Sequence, residues 1–564
     1  MKMNKMTMFI IVCLALSMLG GCSGCYYSEA FSPEMKSDGD TGYDYGMEAM
    51  TAAEDYGMAF DAYMEEPVVF PGEYPEDFNT EEYNTIKENG FEYVSTNPLS
   101  TFAADVDTGS YCNLRRMIND GYSFEDIPSG AVRTEEIDNY FDYVLDEANV
   151  TDGKFSVQYY IDTCPWNEDN LLLVMTATAN DVNVKSAGNN FVYLIDSSGS
   201  MYSMDKLEMA IKGFKKLTRA LGDNDIVSIV TYAGDSDVLV EGCPAKDYET
   251  IFEALDRIEA DGGTNGSGGI TAAYDCAKRN YIENGNNRVI IASDGDMNLG
   301  VTSQSGLVDL IKEKKDSGIF LTTLGFGSGN YSDANMEQIA DAGNGNYYYI
   351  DNIKEAERVL VDKLMQTTVT VAKDVKFQAE FNPNTVSEYR LIGYENRTMS
   401  AKDFEDDTKD GGEVGAGQQV TVVYELVPAD GENDGKDLKY QETKPTGDSD
   451  DILTLSVRYK HPKKDESELE EHVVTKESNG NKEDWSFVAG LTEFSLVLHD
   501  SDYKGKSTLN DAVNLLEAGM GSDEYRQECC KLIGTLADDH IEYNDPEPDP
   551  DEEENAGRTL DLTE

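Results

Sequence analysis

Histidine and tryptophan are scarce in this chain, and positive charge is far outnumbered by negative charge. The 564 residues include 4 His and 2 Trp, with 45 Lys and Arg against 109 Asp and Glu, for a formal net charge of −64. Such an acidic surface repels phosphate groups, which excludes electrostatic attraction to nucleic acid. The few histidines are scattered and form no cluster with cysteine, so we expect no zinc site.

The cysteines show no disulfide framework. Two of the nine, Cys13 and Cys22, lie in or directly after an apolar N-terminal run. The other seven are odd in number and irregularly spaced, namely Cys25, Cys112, Cys164, Cys243, Cys276, Cys529 and Cys530. We expect most of them to be free, with at most one or two bridges whose pairing the sequence leaves open.

The N-terminal apolar run is too short for a membrane helix. It extends from Met6 to Leu19 after the charged Lys2 and Lys5, whereas a membrane helix needs about 20 apolar residues. The following Leu19-Gly20-Gly21-Cys22 resembles the lipobox of bacterial lipoproteins. The resemblance implies cleavage before Cys22 and lipid on that residue. We therefore expect a lipid-anchored, extracytoplasmic protein at the cell membrane or cell surface.

Strand-like and helix-like segments alternate between residues 190 and 367. This pattern predicts an α/β fold with a doubly wound, mainly parallel sheet. A β-sandwich-like region on both sides and a C-terminal helical region are expected to flank it. The predicted segments are 1–21, signal peptide; 22–90, acidic flexible linker; 91–150, N-terminal region; 151–187, flanking strands; 188–367, the α/β domain; 368–480, β-rich region; 481–542, helical region; and 543–564, acidic tail.

Polar oxygen ligands gather where buried strands of the α/β domain end. Asp196-Ser197-Ser198-Gly199-Ser200 follows the apolar run 191–195, and Asp294-Gly295-Asp296 follows the apolar run 289–292. Thr264 lies in a glycine-rich loop between them. Ligands bind at the carboxyl ends of parallel strands, where the strand order reverses. The sequence therefore predicts a divalent-cation site formed by Asp196, Ser198, Ser200, Thr264 and Asp294.

This arrangement resembles the metal-ion-dependent adhesion site of von Willebrand factor type A domains. The resemblance implies that Ser198 and Ser200 bind the cation directly and that Thr264 binds it directly or through water. Asp196 and Asp294 would orient coordinated waters. Mg²⁺ suits such an oxygen set, with Mn²⁺ and Ca²⁺ as alternatives. The family also implies a protein partner that offers an Asp or Glu carboxylate to the open position.

The segments around the type A domain carry further resemblance. Residues 100–111 with 133–141, residues 389–397 and the helical stretch near Phe487 resemble the flanking regions of a bacterial family of type A lipoproteins, over about 95–540. We also expect the strands on both sides to form one sandwich. The last type A helix, around Ile353 to Met365, would then lead into it and shift on ligation.

Three local patterns invite other interpretations. Asp107-Thr108-Gly109-Ser110 is similar to an aspartic-protease loop, but no second loop supplies the other carboxylate, so we predict a strand-to-helix turn. The glycines of 325–329 lack dinucleotide-binding spacing and predict a turn with positive φ. Asp205 with Glu208 predicts a capping box for the helix that follows.

The predicted function is metal-dependent binding rather than catalysis, because no general base is evident near the hydroxyl ligands. Two alternatives stay open at this point. The metal has only a structural role in an envelope scaffold, or the site is that of a hydrolase that uses the metal to activate water. Type A proteins that assist ATPases inside cells are a further class, which the signal peptide and lipobox disfavour.

Overall fold

The computed structural model describes residues 83, 85–180, 187–295, 304–315, 318–328, 333–343, 345–364, 370–409, 411–429, 451–461, 464 and 466–543. The predicted signal peptide, lipidation site, acidic tail and most of the linker lie outside these residues. The end of the linker is anchored, since Asn89 Nδ2 donates to the carbonyl oxygens of Leu391 and Gly393 at 3.3 and 3.0 Å.

The described residues form sixteen β-strands. In chain order they are β1 (Glu92–Tyr93), β2 (Leu99–Ala103), β3 (Phe155–Cys164), β4 (Asn167–Ala179), β5 (Asn189–Asp196), β6 (Ile226–Tyr232), β7 (Ser236–Pro244), β8 (Asn286–Ser293), β9 (Phe320–Phe326), β10 (Tyr347–Ile350), β11 (Thr370–Phe381), β12 (Val386–Ile392), β13 (Gly412–Gly415), β14 (Gln419–Pro428), β15 (Asp451–Lys460) and β16 (Ser467–Thr475).

Twelve α-helices occur in the described part of the chain. They are α1 (Gly109–Asn119), α2 (Thr134–Tyr140), α3 (Leu207–Ala220), α4 (Tyr248–Leu255), α5 (Gly266–Arg279), α6 (Gln304–Lys315), α7 (Asp333–Ala342), α8 (Ile353–Glu357), α9 (Ala401–Glu405), α10 (Lys482–Leu498), α11 (Leu509–Gly519) and α12 (Glu524–Tyr543). Helix α8 continues as a π-helix over Arg358–Lys363. None of the described helices has both the length and the apolar character needed to cross a membrane.

The central unit is a six-stranded sheet in the order β10-β9-β8-β5-β6-β7. All neighbours pair in parallel except β6 and β7. Alternate residues of β5 enter different cores: Tyr193 packs with Phe214 of α3, and Leu194 packs with Ile270 of α5. Since successive strand residues point to opposite faces, helices cover both sides of the sheet. The doubly wound fold predicted from the sequence is confirmed.

Strands from both sides of this unit form a β-sandwich. One sheet has the order β1-β12-β14-β4-β3, and the other has β13-β11-β15-β16 with β2 on β11. Strand β4 precedes the central unit and β14 follows it, yet the two pair antiparallel, with Val174 opposite Val423. Leu173 and Phe377, from opposite sheets, share one core. The central unit is therefore inserted into the sandwich, as predicted.

The N-terminal region covers the edge of the central sheet. Helix α1 packs against β10 so closely that a Cβ on Gly109 would lie 2.5 Å from the Tyr347 ring. Asp107 Oδ1 accepts a 2.9 Å hydrogen bond from the Tyr347 N–H. The Asp107–Ser110 stretch is thus a strand-to-helix turn that also caps an edge strand, as the sequence interpretation expected.

One predicted helix is shorter than its apolar pattern. Ile137, Tyr140, Phe141 and Val144 fall at helical spacing in the sequence and predict a helix through Val144. Helix α2 ends at Tyr140, however, and Val144 is 76% exposed. Phe141 adopts an extended conformation and packs edge-to-face on Phe487, with centroids 4.8 Å apart. Burial against α10 overrides the local helical preference here.

The six described cysteines are all free, as expected for most of them. They are Cys112, Cys164, Cys243, Cys276, Cys529 and Cys530. Five are buried and Cys243 is partly exposed, so they act mainly as small apolar packing residues.

Candidate metal centre

The predicted site residues meet at the carboxyl ends of β5 and β8. These strands are parallel neighbours, with Ile195 opposite Ala292. Asp196 is the last residue of β5, and Asp294 directly follows Ser293, the last residue of β8, so both acids lie at adjacent strand ends. Both carboxylates belong to fully buried residues. Strand β6 lies on one side of β5 and β8 on the other, which makes β5 the point where the strand order reverses.

The serine hydroxyls lie side by side above Asp196. Ser198 Oγ and Ser200 Oγ are 2.9 Å apart. The backbone N–H of Ser198 donates to Asp196 Oδ1 at 3.0 Å, and Ser293 Oγ donates to Asp196 Oδ2 at 2.9 Å. Asp196 therefore holds the serine loop through both of its carboxylate oxygens.

The loop that carries Thr264 is held against the serine loop. Gly199 N–H donates to the Gly262 carbonyl at 3.1 Å, and Asp261 N–H donates to the Ser197 carbonyl at 2.8 Å. Thr264 is buried, 6% exposed, just before the start of α5. The structure thus brings together elements that carry all five predicted ligands. Asp296 lies outside the described residues.

Sequence reasoning missed two residues of the centre. Ser293 joins Asp196 to the next loop, because its Oγ also accepts from the Gly295 N–H at 3.0 Å. Lys206 Nζ lies 3.1 Å from Asp294 Oδ2 and 3.1 Å from the Ser200 carbonyl oxygen. A hydroxyl at the last position of a buried strand was a usable signal for Ser293.

The capping box predicted from Asp205 and Glu208 is wrong. Helix α3 begins at Leu207 with Lys206 as its N-cap residue, and no side chain caps its first turn. The loop is instead organised around the ammonium group of Lys206, which turns inward and is only 6% exposed.

Burial disfavours the ionised form of the Asp196 carboxyl. It raises the pKa of Asp196 to about 6, and Asp294 adds to the effect while hydrogen bonds from Ser198 and Ser293 oppose it. Two buried carboxylates are costly unless positive charge lies nearby. The centre is thus built to hold cationic charge.

The donor set fits a small divalent cation. All predicted ligands are hard oxygen donors, which Mg²⁺ and Ca²⁺ prefer. Adjacent ligands of an octahedral ion bound at 2.0–2.1 Å are about 2.9 Å apart. The Ser198 and Ser200 hydroxyls, which are hydrogen-bonded to each other at 2.9 Å, are close enough to be adjacent ligands of one ion.

A second polar group, Cys112 with Asp351 and Glu355, has ligand atoms within 4.8 Å of one another, but an arginine lies against its carboxylates. The Nη2 atom of Arg115 lies 2.6 Å from Asp351 Oδ1 and 2.9 Å from Glu355 Oε2. The guanidinium therefore supplies positive charge to both carboxylates.

Two apolar side chains stand exposed beside the centre. Tyr202 is 84% exposed and Met204 is 77% exposed, on the loop between Ser200 and Lys206. The loop next to the serine ligands therefore carries two large exposed apolar side chains.

The fold and this centre define a protein with a von Willebrand factor type A domain. The family model described as "von Willebrand factor type A domain" matches residues 191–296. A model described as "von Willebrand factor" matches 77–174, and one described as "Uncharacterized protein YfbK, C-terminal" matches 366–538. Type A domains generally mediate protein interactions and typically bind a divalent metal at this site.

The flanking regions identify the family more closely. The Escherichia coli (strain K12) protein described as "Uncharacterized protein YfbK" is 38% identical over 472 residues, covering 81% of this chain and 81% of its own. The chain belongs to the family of that protein. The Mus musculus "Inter alpha-trypsin inhibitor, heavy chain 4" is 26% identical over 153 residues, covering 26% of this chain and 16% of its own. A solved structure, "von Willebrand factor type A from Catenulispora acidiphila", has 15% identity, a TM-score of 0.39, and coverage of 68% and 91%.

Proposed function

We propose that this protein binds a macromolecular partner through a divalent cation held by Ser198, Ser200 and Thr264, with Asp196 and Asp294 behind them. The observation that carries the proposal is the pair of serine hydroxyls, 2.9 Å apart above two buried acids at the switch point of the sheet. When bound, the cation supplies a Lewis-acidic position for a carboxylate. We propose Mg²⁺, because the hydroxyl spacing suits its short, octahedral coordination.

The chain's own residues prepare this contact. Asp196 keeps the serine loop in place through the Ser198 N–H and Ser293. The serine and threonine hydroxyls are neutral, so they would leave most of the cation's charge for an Asp or Glu of the partner. We further propose that lipid on Cys22 anchors the protein to a membrane outside the cytoplasm, and that its role is binding rather than catalysis.

Removal of the metal separates an adhesive role from a structural one. Capture of partners from envelope extracts should succeed with Mg²⁺ and fail with a chelator, while the circular dichroism spectrum stays that of a folded protein. The reason is that Lys206 and the backbone bonds of the serine loop persist without metal. Unfolding in chelator would support the alternative of a structural metal. Partner capture that is equally efficient with and without chelator would refute the proposed mechanism.

The exposed pair beside the centre should contribute to partner affinity. Replacing Tyr202 and Met204 by serine is expected to weaken binding about tenfold or more, since burying one large apolar side chain contributes about 1.5–3 kcal/mol. The affinity for Mg²⁺ should not change. Tyr281→Ser is a matched control, because Tyr281 is 47% exposed and precedes β8, at the opposite edge of the sheet. Equal losses from both variants in a binding titration would contradict the assignment.

A further inference from the structure

We propose that Lys206 is a built-in counter-cation of the metal centre. Its ammonium group neutralises buried carboxylate charge when no metal is bound, so that the type A unit stays folded, and it weakens the binding of the divalent cation. The type A unit would then fold with or without metal, and the occupancy of the site would depend on the concentration of the free cation. This inference rests on the proposed metal-binding function and concerns the regulation of the same site.

The position of Lys206 runs against local helix preferences. It is the N-cap residue of α3, where Ser, Thr, Asp and Asn are favoured because they accept hydrogen bonds from the first turn. A positive charge is also unfavourable there, since the helix N-terminus carries a partial positive charge. A residue that breaks such rules without local compensation is expected at a functional position.

A space for the Lys206 side chain is built into the opposite loop. Gly327 has a φ of +80°, and a Cβ there would lie 2.2 Å from Lys206 Cε and 2.4 Å from its Cγ. The lysine stem therefore needs a residue without a side chain at position 327. Tyr349 Oη fixes this turn by donating to the Gly327 carbonyl at 2.8 Å.

The ammonium group reaches the acids from inside the protein. Lys206 Nζ lies 3.1 Å from Asp294 Oδ2, and the two side chains are 7% and 0% exposed. The Ser200 carbonyl oxygen accepts from the same ammonium at 3.1 Å, so Lys206 bridges a proposed ligand loop and a proposed water-orienting acid. In such a buried setting, charges a few ångströms apart interact by several kcal/mol.

This geometry predicts opposite effects in the two states. Without metal, loss of the ammonium leaves Asp294 buried beside Asp196 with less positive charge, which destabilises the fold. With metal, loss of the ammonium removes a like charge close to the cation, which favours binding. Because binding and stability are linked, the stabilisation gained from the metal must increase. A lysine that only packs would lower stability equally in both states.

The test compares thermal unfolding of the full chain in chelator and in saturating Mg²⁺, together with calorimetric Mg²⁺ titration. For Lys206→Met we expect a lower Tm in chelator, a larger Mg²⁺-dependent rise in Tm than in the unmodified chain, and Mg²⁺ affinity about tenfold tighter, as removal of a nearby like charge implies. Lys206→Gln keeps a hydrogen-bond donor and removes only the charge, so it should behave in the same way. Lys212→Met is the control, because Lys212 is 54% exposed on the same helix.

Every outcome of these measurements either supports or overturns the role proposed for Lys206. A larger Mg²⁺-dependent rise in either Lys206 variant supports the inference, including the case in which a variant folds only with Mg²⁺. An unchanged or smaller rise overturns it, as does failure of both variants to fold in both conditions, which would make the lysine a structural requirement. If the unmodified chain shows no response to Mg²⁺, the proposed metal function itself fails.

Discussion

Replacing Ser198 and Ser200 together by alanine is expected to abolish Mg²⁺ binding while the chain remains folded. Each serine supplies one proposed oxygen ligand of the cation. If each ligand contact contributes about as much as a hydrogen bond to a charged group, about 1.5–3 kcal/mol, the loss of both lowers the Mg²⁺ affinity about 100-fold or more. The loop should persist because main-chain groups hold it: Ser198 N–H bonds Asp196, and Gly199 N–H bonds Gly262. Calorimetric titration with Mg²⁺ measures the loss, and partner capture should disappear with it.

A serine on the same loop provides the control. Ser203 is exposed and its carbonyl, not its hydroxyl, accepts the Lys206 N–H at 3.2 Å. Ser203→Ala should therefore bind Mg²⁺ and partner like the unmodified chain. If the Ser198→Ala/Ser200→Ala variant kept its Mg²⁺ affinity, the metal would have to lie elsewhere.

Replacing Arg115 by methionine is expected to destabilise the fold by about 3–5 kcal/mol, the cost of breaking a buried ion pair on one side only. Arg115 is 3% exposed and binds Asp351 through two parallel contacts, Nε to Oδ2 at 2.7 Å and Nη2 to Oδ1 at 2.6 Å. It also lies 2.9 Å from Glu355, which is equally buried. Without the guanidinium, two carboxylates are left in the interior. The shift in denaturant midpoint measures the effect.

An exposed ion pair shows the contrast. Arg257 and Glu253 lie 3.2 Å apart with side chains 76% and 72% exposed. Pairs of this kind contribute about 0–1 kcal/mol, so Arg257→Met should scarcely move the unfolding midpoint. Similar midpoints for the two arginine variants would show that the buried cluster does not stabilise the fold.

The Arg115 cluster also bears on the expected shift of the last type A helix. Tyr140 Oη donates to Glu355 Oε2 at 2.7 Å, and the Arg358 guanidinium stacks 3.9 Å from the centre of the Tyr140 ring. These contacts tie α8 and its π-helical continuation to α1 and α2. Although burial raises the pKa of Glu355, the charges of Arg358 and Arg115 hold that pKa below its usual range. A ligand-driven shift stays a prediction, and it would have to break this cluster.

The sequence by itself determined the type A domain and the candidate ligands. Asp196, Ser198, Ser200 and Asp294 follow apolar runs, and a buried strand that stops at polar residues is a local pattern. Thr264 was found from its glycine-rich loop before a helix, which is also a local pattern. The approach of Asp196 and Asp294 followed from the rule that parallel strands present their carboxyl ends at one edge. The turn at 325–329 was also predictable from local sequence. Its glycines indicated a positive φ, and Gly327 has a φ of +80°.

Only the tertiary structure decided which side chains complete and support the centre. Nothing in the local sequence assigns Lys206 to the centre, whereas in the structure Gly327, distant in sequence, makes room for its side chain. The sequence around Arg115 is that of an amphipathic helix, which by itself suggests an exposed arginine. In the structure Arg115 is buried and binds Asp351, which directly follows the edge strand β10. Pairing of β4 with β14 likewise joins segments on either side of the inserted domain. Local sequence patterns specify where helices and strands lie and where they end. Buried charge pairs depend on contacts between segments far apart in the chain, and the periodicity of apolar residues does not encode those contacts.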